Sequence, residues 1–330
     1  MGFSFFKGHR IGIDIDSRIR ILKDGEIVVN EPFSGIWSED GGKLLYKGED
    51  AERLFGEFPY MFNFVRPNWV NEADGEYFTS LLKKFINEAC PGSFLKPEVL
   101  FAFSGKMSSC LPSKLKDLIL RAGAGGVEVI YAPAAAALGA GRDISFPCGT
   151  LVVNMGESVA DIALIAFGDV VLSRTLHIGG ESFGAWVVQY IKNNYNIRIS
   201  RASAEKMFQS LKEDGKESFE VLGRNLSKNG IPERIKVSVE EIQRAAEKPL
   251  ERIGNALKDV MGECPKEFLK DICQFGVILT GSGSEVFCGE EKLGELAGVK
   301  CVRDKNPSES VIYGLGKYIE YSEMSENENV

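Results

Sequence analysis

The sequence predicts an α/β fold built as two domains, and three observations carry that expectation. Strand-like and helix-like segments alternate along the chain, its 330 residues exceed what a single core usually serves, and one strand-turn-strand pattern occurs twice. The first copy, IGIDIDSRIRILKDGEIVV, covers residues 11–29, and the second, LVVNMGESVADIALIAFGDVV, covers residues 151–171. A shift of 140 positions lays Ile13 on Val153, Asp14 on Asn154, Ile15 on Met155 and Asp16 on Gly156. Two such hairpins suggest an internal duplication, each copy opening one half of the molecule.

The remaining elements follow in order. PEVLFAFSG reads as a buried strand rich in large apolar residues, and LPSKLKDLILRAGA as a helix ending at Gly123. VEVIYAP is a strand, and AAAALGAG a small-residue helix able to pack backbone-close against a neighbour. In SVEEIQRAAEKPLERIGNALKDVMGECP, Ser238 and Glu241 stand at capping-box spacing, and Ile242, Ala246, Leu250, Ile253 and Leu257 share one helical face, with a kink expected at Pro249. FGVILTGSGSEV is another buried strand that turns through glycines into a helix. The terminal SEMSENENV is acidic and poor in apolar groups, so fraying is expected there.

Bulk chemistry excludes several functions. A net charge of −8 argues against binding nucleic acid through phosphate neutralisation. No stretch approaches the ~20 apolar residues of a bilayer-spanning helix. Seven cysteines, without a CxxC pair, fit a reduced cytosolic setting and a role as small core residues. MGFSFFKGHR lacks the long apolar core and cleavage site of a secretory signal. His9 and His177 have no Ser or Cys partner at motif spacing, and no metal cluster is visible.

From IGIDI through NEP, AAAALGAG, LHIGGESFGAWVVQYIKNNYNI and GVILTGSGS to ESVIYGLGKYI, the chain resembles the MreB family of bacterial actins, within the actin, sugar-kinase and DnaK-type chaperone superfamily. The resemblance implies an actin-like, two-lobed fold of duplicated ribonuclease-H-like mixed sheets flanked by helices, with a nucleotide cleft and a small insert in each lobe. On that pattern lobe I covers residues 8–147 and 305–320 with its insert at about 31–72, and lobe II covers 148–304 with its insert at about 185–240. Residues 1–7 become an amphipathic membrane-binding start and 321–330 a disordered acidic tail.

The same resemblance assigns site residues, and here the chain departs from the family. The first corner, Asp-x-Gly-Thr in the family, is Asp14-Ile15-Asp16-Ser17, in which Asp14 is the residue that would order water around Mg2+ if nucleotide binds. The second, Asp-x-Gly-Gly-Gly-Thr-Thr, is Asn154-Met155-Gly156-Glu157-Ser158-Val159-Ala160. The water-activating Glu-Glu-Pro step is Tyr131-Ala132-Pro133, which leaves no catalytic carboxylate. On the nucleoside side, Gly281, Ser282 and Gly283 are kept, and Glu205 matches a contacting glutamate, whereas the lysine two positions beyond is Met207. Unit charges about 4 Å apart repel by roughly 1 kcal/mol in water and about 4 at an effective dielectric near 20. Asp16 and Glu157 beside a triphosphate would therefore weaken ATP by several kcal/mol, on the order of a thousandfold.

Two apolar features point to a membrane surface. Phe3, Phe5 and Phe6 precede Lys7, His9 and Arg10, and Phe94 and Leu95 fall on the family's hydrophobic loop. A third cluster, Phe55, Phe58, Tyr60, Met61, Phe62, Phe64 and Trp69, is expected mostly as core of the small insert, with any exposed part serving as a partner or lateral filament surface. The leading expectation is a membrane-associated homopolymer, such as a double filament, serving cell shape or intracellular organisation on the inner face of the plasma membrane. ATP hydrolysis is then weak or absent and no cofactor is held. ATP with Mg2+ enters only if the cleft still works, and an active paralogue or a membrane protein is a further partner. The alternatives are an ordinary ATP-hydrolysing filament protein, and a non-polymerising chaperone-like or sugar-kinase-like protein.

Overall fold

A computed structural model of the chain describes residues 9–58, 61–67, 71–105, 111–210, 217–285 and 289–328. The chain divides into two compact units, Met1–Gly139 with Val311–Val330, and Ala140–Ser310.

The first unit opens with an antiparallel meander, β1 (Arg10–Ile15), β2 (Arg18–Lys23) and β3 (Glu26–Pro32). Asp24 and Gly25 take positive φ between β2 and β3, the conformation a tight Asp-Gly hairpin requires. An insert follows, with β4 (Gly35–Trp37), β5 (Leu44–Lys47), α1 (Gly48–Glu57) and β6 (Asn63–Val65), whose strands form a separate sheet ordered β5-β4-β6. The chain returns through α2 (Gly75–Ala89), β7 (Glu98–Phe103), α3 (Leu111–Arg121), β8 (Gly126–Tyr131) and α4 (Ala132–Gly139). The main sheet runs β3-β2-β1-β7-β8, with β7 and β8 parallel to β1. Ile11, Ile13, Ile19 and Ile21 of the sheet and Phe78, Leu81, Leu82 and Phe85 of α2 are fully buried.

The second unit repeats this plan. It contains β9 (Thr150–Met155), β10 (Ala160–Ala166), β11 (Asp169–Leu176), α5 (Gly180–Tyr195), β12 (Ile197–Arg198), α6 (Arg201–Gln209), β13 (Ser218–Asn225), β14 (Ile231–Ser238), α7 (Val239–Glu263), α8 (Lys266–Phe275), β15 (Val277–Thr280), α9 (Gly289–Ala297) and β16 (Cys301–Arg303). Its main sheet runs β11-β10-β9-β15-β16, and its small sheet β12-β13-β14. Helix α7 runs through Pro249 as a single element. The capping box forms: the Ser238 hydroxyl accepts from the Glu241 amide at 3.3 Å, and the Glu241 carboxylate from the Ser238 amide at 2.9 Å.

Three expectations change. The division falls after Gly139 rather than at residue 147, because Ile144 and Phe146 accept backbone hydrogen bonds from Gly168 and Phe167 of the second unit. The acidic tail is not disordered through its length. The last helix, α10 (Ser310–Glu328), continues to Glu328. Tyr318 donates to Glu128 at 2.6 Å and Arg10 to Ser322 at 2.6 Å, which anchors the helix as far as Ser322. The aromatic cluster is not buried core: Phe55 and Phe64 stack at 4.2 Å but are partly exposed, and Phe58 and Met61 stand in solvent. Tyr60 and Trp69 lie outside the described residues.

The small-residue helix α4 packs backbone-close against a neighbour, and that neighbour is α10. A β-carbon at Gly314 would come within 1.7 Å of the Ala135 carbonyl oxygen, so only glycine allows that approach. Lys317 then donates to the Leu138 carbonyl at 2.8 Å, placing a cation at the C-terminal end of α4.

Candidate functional site

The candidate residues lie on equivalent corners of the two units. In the first, the β1–β2 turn carries Asp16 and Ser17. The Asp16 amide donates to the Arg18 carbonyl at 3.0 Å, and the Ser17 carbonyl accepts from Phe33 at 2.9 Å. Asp16 is not among the described residues with positive φ, so it replaces glycine without backbone strain. What is lost is the open approach to backbone amides that glycine gives. Arg18 is turned outward, donating to the Asn30 side chain at 2.8 Å and reaching Glu49 at 3.0 Å.

Asp14 points inward and meets a residue that the corner motif does not include. Asp14 and Arg20 are directly opposite in the β1–β2 register, and Arg20 Nη1 lies 3.5 Å from Asp14 Oδ2. Both are nearly buried, and Arg20 Nε has no protein partner. Burial pushes the Asp14 carboxyl up to about 7, against the lowering pull of Arg20, with Asp16 adding a smaller push upward. Strand alternation could have revealed Arg20: an antiparallel partner of Asp14 flanked by Ile19 and Ile21 has to share its face.

In the second unit the β9–β10 corner is closed by the Gly156 amide donating to the Val159 carbonyl at 2.8 Å. The start of α5 then docks onto it. The Gly180 amide donates to the Gly156 carbonyl and the Glu181 amide to the Glu157 carbonyl, each at 2.9 Å. These first-turn amides are thus satisfied internally. A β-carbon at Gly179 would fall 2.3 Å from the Glu157 carbonyl oxygen, and one at Gly180 would fall 3.5 Å from Glu157 Oε2. The Glu157 carboxylate therefore lies beside the positive end of α5, where an anion is favoured. Ser158 is exposed.

Asn154 on β9 is buried, and its side-chain oxygen accepts from the Thr280 hydroxyl at 3.0 Å. Opposite it in the β9–β10 register stands Asp161, fully buried and accepting from Thr175 at 2.5 Å, a carboxylate that the motif reading passed over. The glycines after β15 have a packing role. A β-carbon at Gly281 would lie 2.2 Å from the Met155 carbonyl oxygen and one at Gly283 would lie 3.0 Å from it. Ser282 opens a short 3-10 turn there. Glu205 accepts from Arg201 at 2.7 Å, and Arg201 also reaches Glu181 at 3.1 Å. Burial disfavours the Arg201 guanidinium, but the two carboxylates outweigh it and hold its pKa above the usual arginine value.

Tyr131 ends β8 and Ala132 begins α4, both buried, with the Tyr131 ring 5.5 Å from that of Phe103. Phe94, in the loop between α2 and β7, is fully exposed, and Leu95 partly so. Phe3, Phe5 and Phe6 lie outside the described residues.

In the first corner Asp14, the carboxylate expected on the metal side, already carries a guanidinium partner, and in the second the matching residue, Asn154, is a neutral amide engaged by Thr280, so neither residue fits a magnesium ion as a free aspartate would. Among the described residues no group of three or more His, Cys, Asp or Glu could hold a metal, and no helix is long and apolar enough to cross a membrane.

Comparison with known proteins agrees with this architecture. A family model described as MreB/Mbl protein matches residues 8–327. The chain is 32% identical over 314 residues to the cell shape-determining protein Mbl of Bacillus subtilis, covering 93% of this chain and 94% of that protein. It is 30% identical to the cell shape-determining protein MreB of Escherichia coli, covering 92% and 90%. The crystal structure of MreB5 of Spiroplasma citri bound to ADP superposes with a TM-score of 0.86 at 25% identity, covering 97% of this chain and 99% of that one.

Proposed function

Because the chain belongs to the MreB/Mbl family, we propose that it is a cell-shape cytoskeletal protein that polymerises with its own copies and binds an adenine nucleotide. The observation that carries this reading is the match of the family model across residues 8–327, that is, through both units. Two relatives named for determining cell shape support the biological role, and the ADP-bound relative supports nucleotide binding. The exposed Phe94, with Leu95 beside it, supports attachment to the inner face of the plasma membrane. The aromatic start at Phe3, Phe5 and Phe6 is its proposed companion. Each anchor is weak alone, and a polymer makes many of them act together. Co-assembly with an active relative belongs to the same proposal.

A second reading concerns hydrolysis. The Tyr131-Ala132 step offers no carboxylate to activate water, and Asn154 offers no charge for a metal. These residues support a filament protein that binds nucleotide but splits it slowly or not at all. Sedimentation with and without ATP, with phosphate release followed in the same tubes, separates the readings. A pellet containing most of the protein is expected, with phosphate release near background under the second reading and release coupled to assembly under ordinary hydrolysis. Protein that stays in the supernatant under every condition would refute the filament proposal and favour a chaperone-like or sugar-kinase-like role.

A further inference from the structure

Arg20 is the strongest unassigned feature. It stands in the middle of β2, held opposite Asp14 by five consecutive cross-strand pairs from Ile11–Lys23 to Ile15–Ile19. Its side chain is about one-tenth exposed, as is that of Asp14. Burying a guanidinium is costly unless its donors are met, and here the carboxylate lies at 3.5 Å while Nε has no protein partner. A pair needed only for packing would be better served by apolar residues of similar volume. A fork of donors with one unmet suits an incoming oxyanion, because arginine binds phosphate oxygens in pairs.

The neighbouring groups agree. Arg18, the cation two residues before it, is turned away onto Asn30 and Glu49. In the equivalent hairpin of the second unit the matching residue is Asn154, a neutral amide engaged by Thr280, with no cation opposite it in the strand register. The hairpin of the first unit therefore carries a positive charge of its own, fixed to the chain at Arg20.

We propose that Arg20 takes the place of the divalent cation, so that this protein engages the phosphates of its nucleotide without a metal. The proposal rests on the reading that the chain binds nucleotide, and it adds a specificity: metal-free ATP or ADP is a competent ligand.

Calorimetric titration of the full-length protein with ATP, once in EDTA and once in excess MgCl2, tests it. Wild-type affinity is expected to differ by less than about threefold between the two buffers. Arg20→Met should bind about tenfold or more weakly in EDTA and recover when Mg2+ is added, while Arg20→Lys, which keeps a charge, should bind in EDTA. Thermal unfolding of each variant establishes that it is folded, and Arg20→Lys carries the test if Arg20→Met is not. Wild-type binding that tightens about tenfold or more with Mg2+ would overturn the proposal and leave nucleotide binding standing. Arg20→Met binding as tightly as wild type in EDTA would do the same. No binding in either buffer would overturn both.

Discussion

At Glu157 a side chain lies where a ligand's charge would be welcome. The amides of Gly180 and Glu181 are taken by the carbonyls of the β9–β10 corner, and the Glu157 carboxylate sits beside Gly180 at the start of α5. The helix end is thus neutralised by the protein itself, which stabilises the apo form by about 0.3–1 kcal/mol and opposes an incoming phosphate. Glu157→Gly removes that competition. Its affinity for ATP should rise about tenfold, which corresponds to about 1.4 kcal/mol, measured by calorimetry against wild type. Unchanged affinity would show that Glu157 has no bearing on the nucleotide. The corner motif identifies Glu157 but not what it touches, because the contact depends on how α5 docks onto the β9–β10 corner. Arg20 escaped for a related reason: its meaning comes from strand register, which a motif confined to the turn does not contain.

Helix α7 shows the opposite case, an element whose start is written in adjacent residues. Burial alone would push the Glu241 carboxyl up. The Tyr195 hydroxyl, the Ser238 amide and hydroxyl, and the nearby charge of Arg244 outweigh it and hold the group below the usual glutamate range. A carboxylate depressed in the folded state stabilises above its unfolded pKa, and that contribution is lost as pH falls through the folded value. Ser238→Ala should therefore cost about 1 kcal/mol in urea unfolding at pH 7. The gap should narrow below the glutamate range, and a constant gap at all pH values would contradict the assignment. The capping box was legible because its residues are three apart. The helical course of α10 to Glu328 was not, since its anchors Glu128 and Arg10 are distant in sequence.

Over the whole molecule the duplication is the organising fact, and it was readable from the two hairpins alone. The sheets β3-β2-β1-β7-β8 and β11-β10-β9-β15-β16 follow one strand plan, with Asp14 and Asn154 at matching places on their first strands. Less legible was the fate of the aromatic-rich insert, because apolar composition does not say which faces find partners: Phe55 stacks on Phe64 while Met61 is left in solvent. An exposed Phe94 on an MreB/Mbl body supports the proposed polymer that lies on lipid. The most direct measurement is negative-stain microscopy of the full-length protein on anionic lipid vesicles with ATP. The account predicts continuous filaments of subunits along the vesicle surface, and a Phe94→Ser, Leu95→Ser variant that still forms filaments but leaves the vesicles bare. Single, unassembled particles at every protein concentration would contradict it.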